Sequence, residues 1–235
     1  MTAQMRIETL AAVRSRLVDF DWEFSRDQAG AVSAHWRRRR AANPLLYDGD
    51  VLLASRIERA GDELRVDWFK TTFSRFLAWR EFGFPDLAVR NVFAMPALRS
   101  ADGAFLLGEM GPGHSQVGEL YFPGGTPDLE DLRDGEVDLG GSLLRELLEE
   151  TGIAVAPDAL EPQWRVVFDR AFVACMKIID WPLKASEIVD AVERHIDGEE
   201  RPELSRAIMV RTPDELADPR IPGFVRAFLA HALAS

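Results

Sequence analysis

The ten residues Leu143 to Gly152, LLRELLEETG, constrain this chain more than any other stretch. At 3.6 residues per turn, Leu143, Leu144, Leu147 and Leu148 share one arc of a helix, while Glu146, Glu149 and Glu150 gather on the other side. Thr151-Gly152 closes the run, because glycine tolerates the left-handed conformation that ends many helices. The leucines predict a helix packed on something apolar. The glutamates set three carboxylates within one turn, where like charges at i, i+4 cost roughly 0.2–0.5 kcal/mol per pair. Only Arg145, at i+4 from Glu149, offers local relief. Two readings stand at this point: a solvated helix face, or a cluster neutralised by a hard divalent cation, which prefers oxygen ligands.

Around that helix the chain alternates strand and helix signals without a regular βα repeat. A strand is expected over Val13 to Phe20, then a helix from about Arg26 to Ala42. VLLASRIE from Val51 and ELRVDWFK from Glu63 alternate with period two, and Ala60-Gly61-Asp62 between them predicts a hairpin. TTFSRFLAWREFGFP runs to Pro85, a natural boundary. Beyond it, NVFAMPALRS, GAFLLGEM, WRVVFD, RAFVACMKIIDW and SRAIMVR read as strands, and SEIVDAVERHI and IPGFVRAFLAHAL as helices. The pattern predicts an α+β fold with a mixed sheet.

Composition narrows the function. With 235 residues, 47% of them hydrophobic, the chain can bury a sizeable core as one large or two small domains. Its 39 acids against 28 lysines and arginines leave a formal charge of −11, a field that repels a nucleic-acid backbone. The run Arg37 to Arg40 is the counter-argument. It falls just before Asn43-Pro44, where cations complement a helix C-terminus, with phosphate or partner contact as the other use. No apolar run approaches the roughly 20 residues that span a bilayer, and the start does not read as a secretory signal. Cys175, the single cysteine, sits in AFVACMKII and is expected as a buried structural thiol. These features suit a cytoplasmic protein with neither nucleic acid nor membrane as partner.

Gly124-Gly125 in YFPGGTPD precede the helix, and Arg145-Glu146-Leu147-Leu148-Glu149-Glu150-Thr151-Gly152-Ile153 resembles the second half of the Nudix box, G-x5-E-x7-R-E-U-x-E-E-x-G-U with U aliphatic. Every specified position of that half matches. The first half departs: Gly125 to the candidate acid Glu136 is eleven positions where the box has six, and Glu136 to Arg145 is nine where it has eight. Five extra residues thus precede the acid and one follows it, an insertion that a surface loop tolerates at little cost. Asp138 is the alternative partner for Arg145.

The resemblance implies a Nudix fold, a mixed β-sheet packed between helices as an α/β/α sandwich, over residues 89–235, with an N-terminal α+β extension (helix plus β-hairpin) over 1–88. It implies Mg²⁺, with Mn²⁺ as a substitute, held by Glu146, Glu149, Glu150 and the carbonyl of Gly124, and Arg145 tying helix to loop by a salt bridge. Glu149 is the first candidate for general base, and a downstream glutamate in DGEERPELSR is the second: Glu203 ahead of Glu199 and Glu200, all three also readable as solvated loop acids. The implied substrate is a nucleoside diphosphate linked to another moiety. W-x7-P-L-L-Y-D from Trp36 is similar to the branch containing UDP-glucose pyrophosphatases, and ADP-ribose is the next choice, although its proline marker would fall near Phe168 and is absent. The alternative is a non-catalytic Nudix domain acting as a nucleotide sensor; a homodimer is a further expectation. His35, His114, His195 and His231 show no ligand spacing; His114, in the glycine-rich loop, reads first as a simple loop residue, with substrate contact as its other use.

Overall fold

The computed structural model describes residues 5–234. Its N-terminal part contains β1 (Arg6–Leu10), β2 (Ala12–Leu17), α1 (Glu23–Asp27), α2 (Ala29–Ala42), β3 (Asp50–Ala60), β4 (Glu63–Thr72) and α3 (Phe73–Glu81). There follow β5 (Asn91–Arg99), β6 (Phe105–Met110), β7 (Leu120–Tyr121), β8 (Leu132–Arg133), β9 (Glu136–Val137), α4 (Leu139–Thr151), β10 (Trp164–Phe168), β11 (Phe172–Asp180), α5 (Ala185–Gly198), β12 (Leu204–Val210) and α6 (Gly223–Leu233).

The main sheet runs β1-β10-β11-β5-β6-β12, with β7 paired to β6. It is mixed: β11 runs parallel to β5, in register from Phe172 opposite Asn91 to Asp180 opposite Arg99, while its other pairs are antiparallel. Period-two alternation sorts side chains to two faces. Val92, Ala94 and Leu98 of β5 join Leu143 and Leu147 of α4 and Ile188 and Val192 of α5 in one core. Phe93, Met95 and Ala97 face the other way and join Phe224, Val225 and Phe228 of α6. The result is the expected α+β sandwich, a mixed sheet between helices. Central strands carry no outward polar face here, and β5 is buried at every position but its last. Cys175 is fully buried in the first of these cores, and burial pushes its thiol up to about 12.

A second sheet, β2-β4-β3, carries the expected hairpin, closed by Gly61 at φ 64°. A third core under it joins Trp22, Val51, Leu53, Phe69, Phe76 and Trp79. Three local expectations shift. The expected strand over Val13 to Phe20 starts at Ala12 and stops at Leu17, and a strand ahead of it, β1, pairs with β10 across the chain. The expected helix from Arg26 is broken at Gln28 into α1 and α2. The run before Pro85 folds as α3 and ends where Gly83 and Phe84 take positive φ. Among the described residues, no helix is long and apolar enough to cross a membrane.

Candidate active site

Helix α4 begins at Asp138, whose side chain accepts the Gly141 amide at 2.8 Å, and ends at Gly152 with φ 71°. The three glutamates do not share one outward face. Seven helical steps come to roughly 700°, nearly two full turns, so Glu150 returns to the side of Leu143 and is buried at 5% exposure. The Glu146 side chain is mostly covered at 14%, and Glu149 is the exposed one at 56%. Leu148, in turn, is left outside the core.

What Glu150 meets is the glycine turn. Its Oε1 accepts the amide of Gly124 at 2.8 Å, while Oε2 is buried with no hydrogen-bond partner. Close approach is why glycine stands there: a Cβ on Gly125 would lie 2.9 Å from Glu146 Oε1, and one on Gly124 would lie 2.9 Å from Met95 Cγ and 3.0 Å from the Ala94 carbonyl. Gly124 also has φ 152°. The expected role of Gly124 was through its carbonyl; its amide is the group engaged with the helix.

Arg145 ties helix to loop, but through an acid that spacing to Glu136 overlooked. Its guanidinium contacts Asp131 at 3.0 Å, Glu146 at 3.0 Å and Glu149 at 2.9 Å. Asp131 is 3% exposed and also accepts the Asp128 amide at 3.0 Å through its second oxygen. Counting from Gly125, Asp131 falls at the sixth position, where the box has its glutamate. The whole six-residue surplus therefore lies between that acid and Arg145, and it folds as the β8-β9 hairpin around Asp134-Gly135. Glu136 is an exposed residue of β9, and Asp138 is the helix cap. Neither pairs with Arg145. The missed signal was an Asp in place of Glu at the unshifted position.

The electrostatics follow from this crowding. Burial, opposed by Arg145 and reinforced by Glu203, Glu149 and Asp131, pushes Glu146 up to about 7. Burial and the Glu146 charge raise Glu150 well above the carboxylate range, against the pull of the Gly124 amide. Glu203, at the foot of β12, is raised by burial and by Glu149 and Glu199, against Arg145, so the fold brings this distant residue into the field of the helix. Glu199 instead meets His195 at 3.5 Å, and Glu200 is exposed. Among the described residues, no three side chains of the ligand types form a ready-made cation cage. Two observations nonetheless fit a cation: the orphaned, buried Glu150 Oε2, and the carboxylates of Glu146, Glu149 and Glu203 close enough to raise the charge cost of Glu150.

Beside the glycine turn opens a cavity of about 440 Å³, bordered by Gly124, Gly125 and Thr126. His114 lines it, held neutral because burial and then Arg80 push it down to about 4. Arg39 of the basic run ion-pairs with Glu81 at 3.3 Å and donates to the Ser115 carbonyl at 3.4 Å, and Arg40 reaches the Pro44 carbonyl at 3.5 Å.

An acidic helix docked on a glycine turn, packed over the interior strand β5 of a mixed sheet flanked by helices, is what this fold places beside its cavity. No protein-family profile and no curated protein matches the sequence. Among solved structures, the chain is similar to the MutT protein from Methanosarcina mazei Go1 at 18% identity, over 61% of this chain and 92% of that one, with a TM-score of 0.41. It is similar to RenU, a Nudix hydrolase from M. smegmatis, at 17% identity over 60% of this chain and 81% of that one, with a TM-score of 0.37. A bifunctional NMN adenylyltransferase/ADP ribose pyrophosphatase from Francisella tularensis, solved with AMP and a manganese ion, aligns at 13% identity over 57% of this chain and 37% of that one, with a TM-score of 0.37.

Proposed function

We propose that this chain is a Nudix hydrolase that cuts the diphosphate bond of a nucleoside diphosphate linked to another moiety, such as a UDP-sugar or ADP-ribose, and releases a nucleoside monophosphate. The observation that carries the reading is Glu150: a carboxylate buried against Gly124 with one oxygen lacking any partner, on a helix whose sequence matches the second half of the Nudix box. A buried acid without a partner is costly unless a ligand completes it.

In this reading Glu146, Glu149, Glu150 and the Gly124 carbonyl would hold Mg²⁺ or Mn²⁺. The ion would neutralise the diphosphate oxygens and make bound water easier to deprotonate. Arg145 keeps Glu146 and Glu149 oriented while anchored on Asp131. Glu149, the most exposed of the three, is the first candidate to take a proton from the attacking water, which requires it to leave Arg145, and Glu203 is the second. A cytoplasmic setting accords with the single buried cysteine.

A second reading is a nucleotide sensor without turnover. It draws on the grip of Arg145 on the same carboxylates and on the lack of a preformed cage among the described residues. Incubation with nucleotide sugars, ADP-ribose and Mg²⁺, with both products identified by mass, separates the two. Glu150→Gln keeps an acceptor for Gly124 and should reduce turnover at least ~100-fold, as expected for losing several kcal/mol of charge stabilisation. Tight binding without any product from the wild type would favour the sensor.

A further inference from the structure

The cavity beside the glycine turn has two features that the hydrolytic reading does not use. One is Asn91, the first residue of β5, which is 4% exposed and lines the cavity. Its Nδ2 donates to Thr126 Oγ1 at 3.1 Å, yet its Oδ1 is buried with no partner. The other is the wall itself. Phe73, Phe76 and Arg80 of α3 line the cavity together with Phe93 of β5, Phe172 of β11 and Phe224 of α6. Helix α3 therefore completes a pocket that the main sheet and α6 leave open.

We propose that this pocket is the nucleobase subsite, with Asn91 Oδ1 as the specificity-determining acceptor for a ring or exocyclic N–H and the N-terminal helix α3 as one of its walls. The proposal rests on the diphosphatase reading, because Gly124 and Gly125 join this pocket to the acidic helix. Its chemistry is separate from the hydrolytic groups.

Three arguments support it. An acceptor buried in an aromatic pocket pays for desolvation in every state except the one in which a ligand donates to it, so it discriminates against ligands that cannot. The aromatic lining suits a flat heterocycle, since any base presents a π-face for stacking, and the volume of about 440 Å³ is that of a small-molecule site. The pocket also supplies donors. Arg80 reaches Gln116 Oε1 at 2.7 Å and Ser115 Oγ at 3.0 Å, which ties α3 to the loop carrying His114. The Gln116 backbone N–H donates to His114 Nδ1 at 3.1 Å, so the neutral ring carries its proton on Nε2 and offers a donor for a base carbonyl or ring nitrogen.

The test is equilibrium binding by calorimetry, without divalent ions and without turnover. AMP, GMP, UMP and CMP are titrated into the full chain, then the N-methylated form of each that binds (N6,N6-dimethyl-AMP or N3-methyl-UMP, for example). Blocking the N–H that Asn91 accepts should weaken wild-type binding by roughly tenfold or more, the worth of one hydrogen bond to a buried acceptor. The same methylation should change binding to Asn91→Leu by less than about threefold, the cycle isolating the pair. Equal affinity of parent and methylated forms for the wild type, or no binding of any monophosphate, overturns the proposal, and neither result needs a variant that folds. Arg80→Met should weaken every monophosphate and spare ribose 5-phosphate; equal loss of both overturns α3 as a base-facing wall. If the wild type with Mg²⁺ yields no product from any nucleoside diphosphate derivative while these base effects hold, the hydrolytic reading fails and the subsite stands. Turnover with no such discrimination overturns the subsite and leaves the hydrolytic reading in place.

Discussion

Arg145 is clamped to the buried carboxylate of Asp131 at 3.0 Å, and that single contact decides how the loop before the helix is threaded. With Asp131 taken as the acid, the glycine turn keeps its usual spacing and the extra residues become an excursion, the β8-β9 hairpin, outside the anchored loop. Asp131 is almost fully covered while Arg145 keeps 30% of its side chain in solvent, so loss of the acid leaves the Asp128 amide without its acceptor and Arg145 held by Glu146 and Glu149 alone.

Asp131→Ala should therefore destabilise the protein by about 1–3 kcal/mol, the scale for leaving a buried polar group without its partner. Glu136→Gln, at an exposed site, should stay within about 0.5 kcal/mol. Denaturant unfolding of both variants checks the assignment, and a costly Glu136→Gln beside a silent Asp131→Ala would reverse it.

The unpartnered oxygen of Glu150 leads to a measurement on the protein without substrate. Mg²⁺ binding only to the folded state should stabilise the wild type by about 2.7 kcal/mol at a hundredfold excess over Kd. Glu150→Gln removes the buried acid yet keeps the acceptor for the Gly124 amide, so it should unfold at or above the wild-type temperature in chelator and gain little from Mg²⁺. Equal Mg²⁺-induced shifts in the two proteins would exclude Glu150 as a ligand.

His114 makes stability depend on pH. Its pKa is about 4 in the folded protein against an ordinary 6.5, because burial and then Arg80 disfavour its charge. Below pH 6.5 the unfolded chain takes up a proton that the folded chain refuses. This contribution therefore falls steadily from pH 6.5 to 4, by up to about 3 kcal/mol. His114→Asn, whose side-chain oxygen can still accept the Gln116 amide, should flatten that part of the profile. An imidazole signal titrating near 6.5 in the folded protein would contradict the burial argument.

What the sequence determined by itself is what local chemistry determines. Leucine spacing and the Thr151-Gly152 stop placed α4, period-two alternation with Gly61 placed the β3-β4 hairpin, and the Arg145-to-Ile153 string identified the acidic cluster. Each signal is complete within one or two helical turns or strand lengths. Only the tertiary structure decided which acid Arg145 holds, that Glu150 turns inward, that β1 pairs with β10, and that α3 walls the cavity with Asn91. Those facts depend on pairings between residues far apart in sequence, or on how an inserted hairpin is accommodated. Burial and shape complementarity choose among such pairings, and no short window of residues contains that choice.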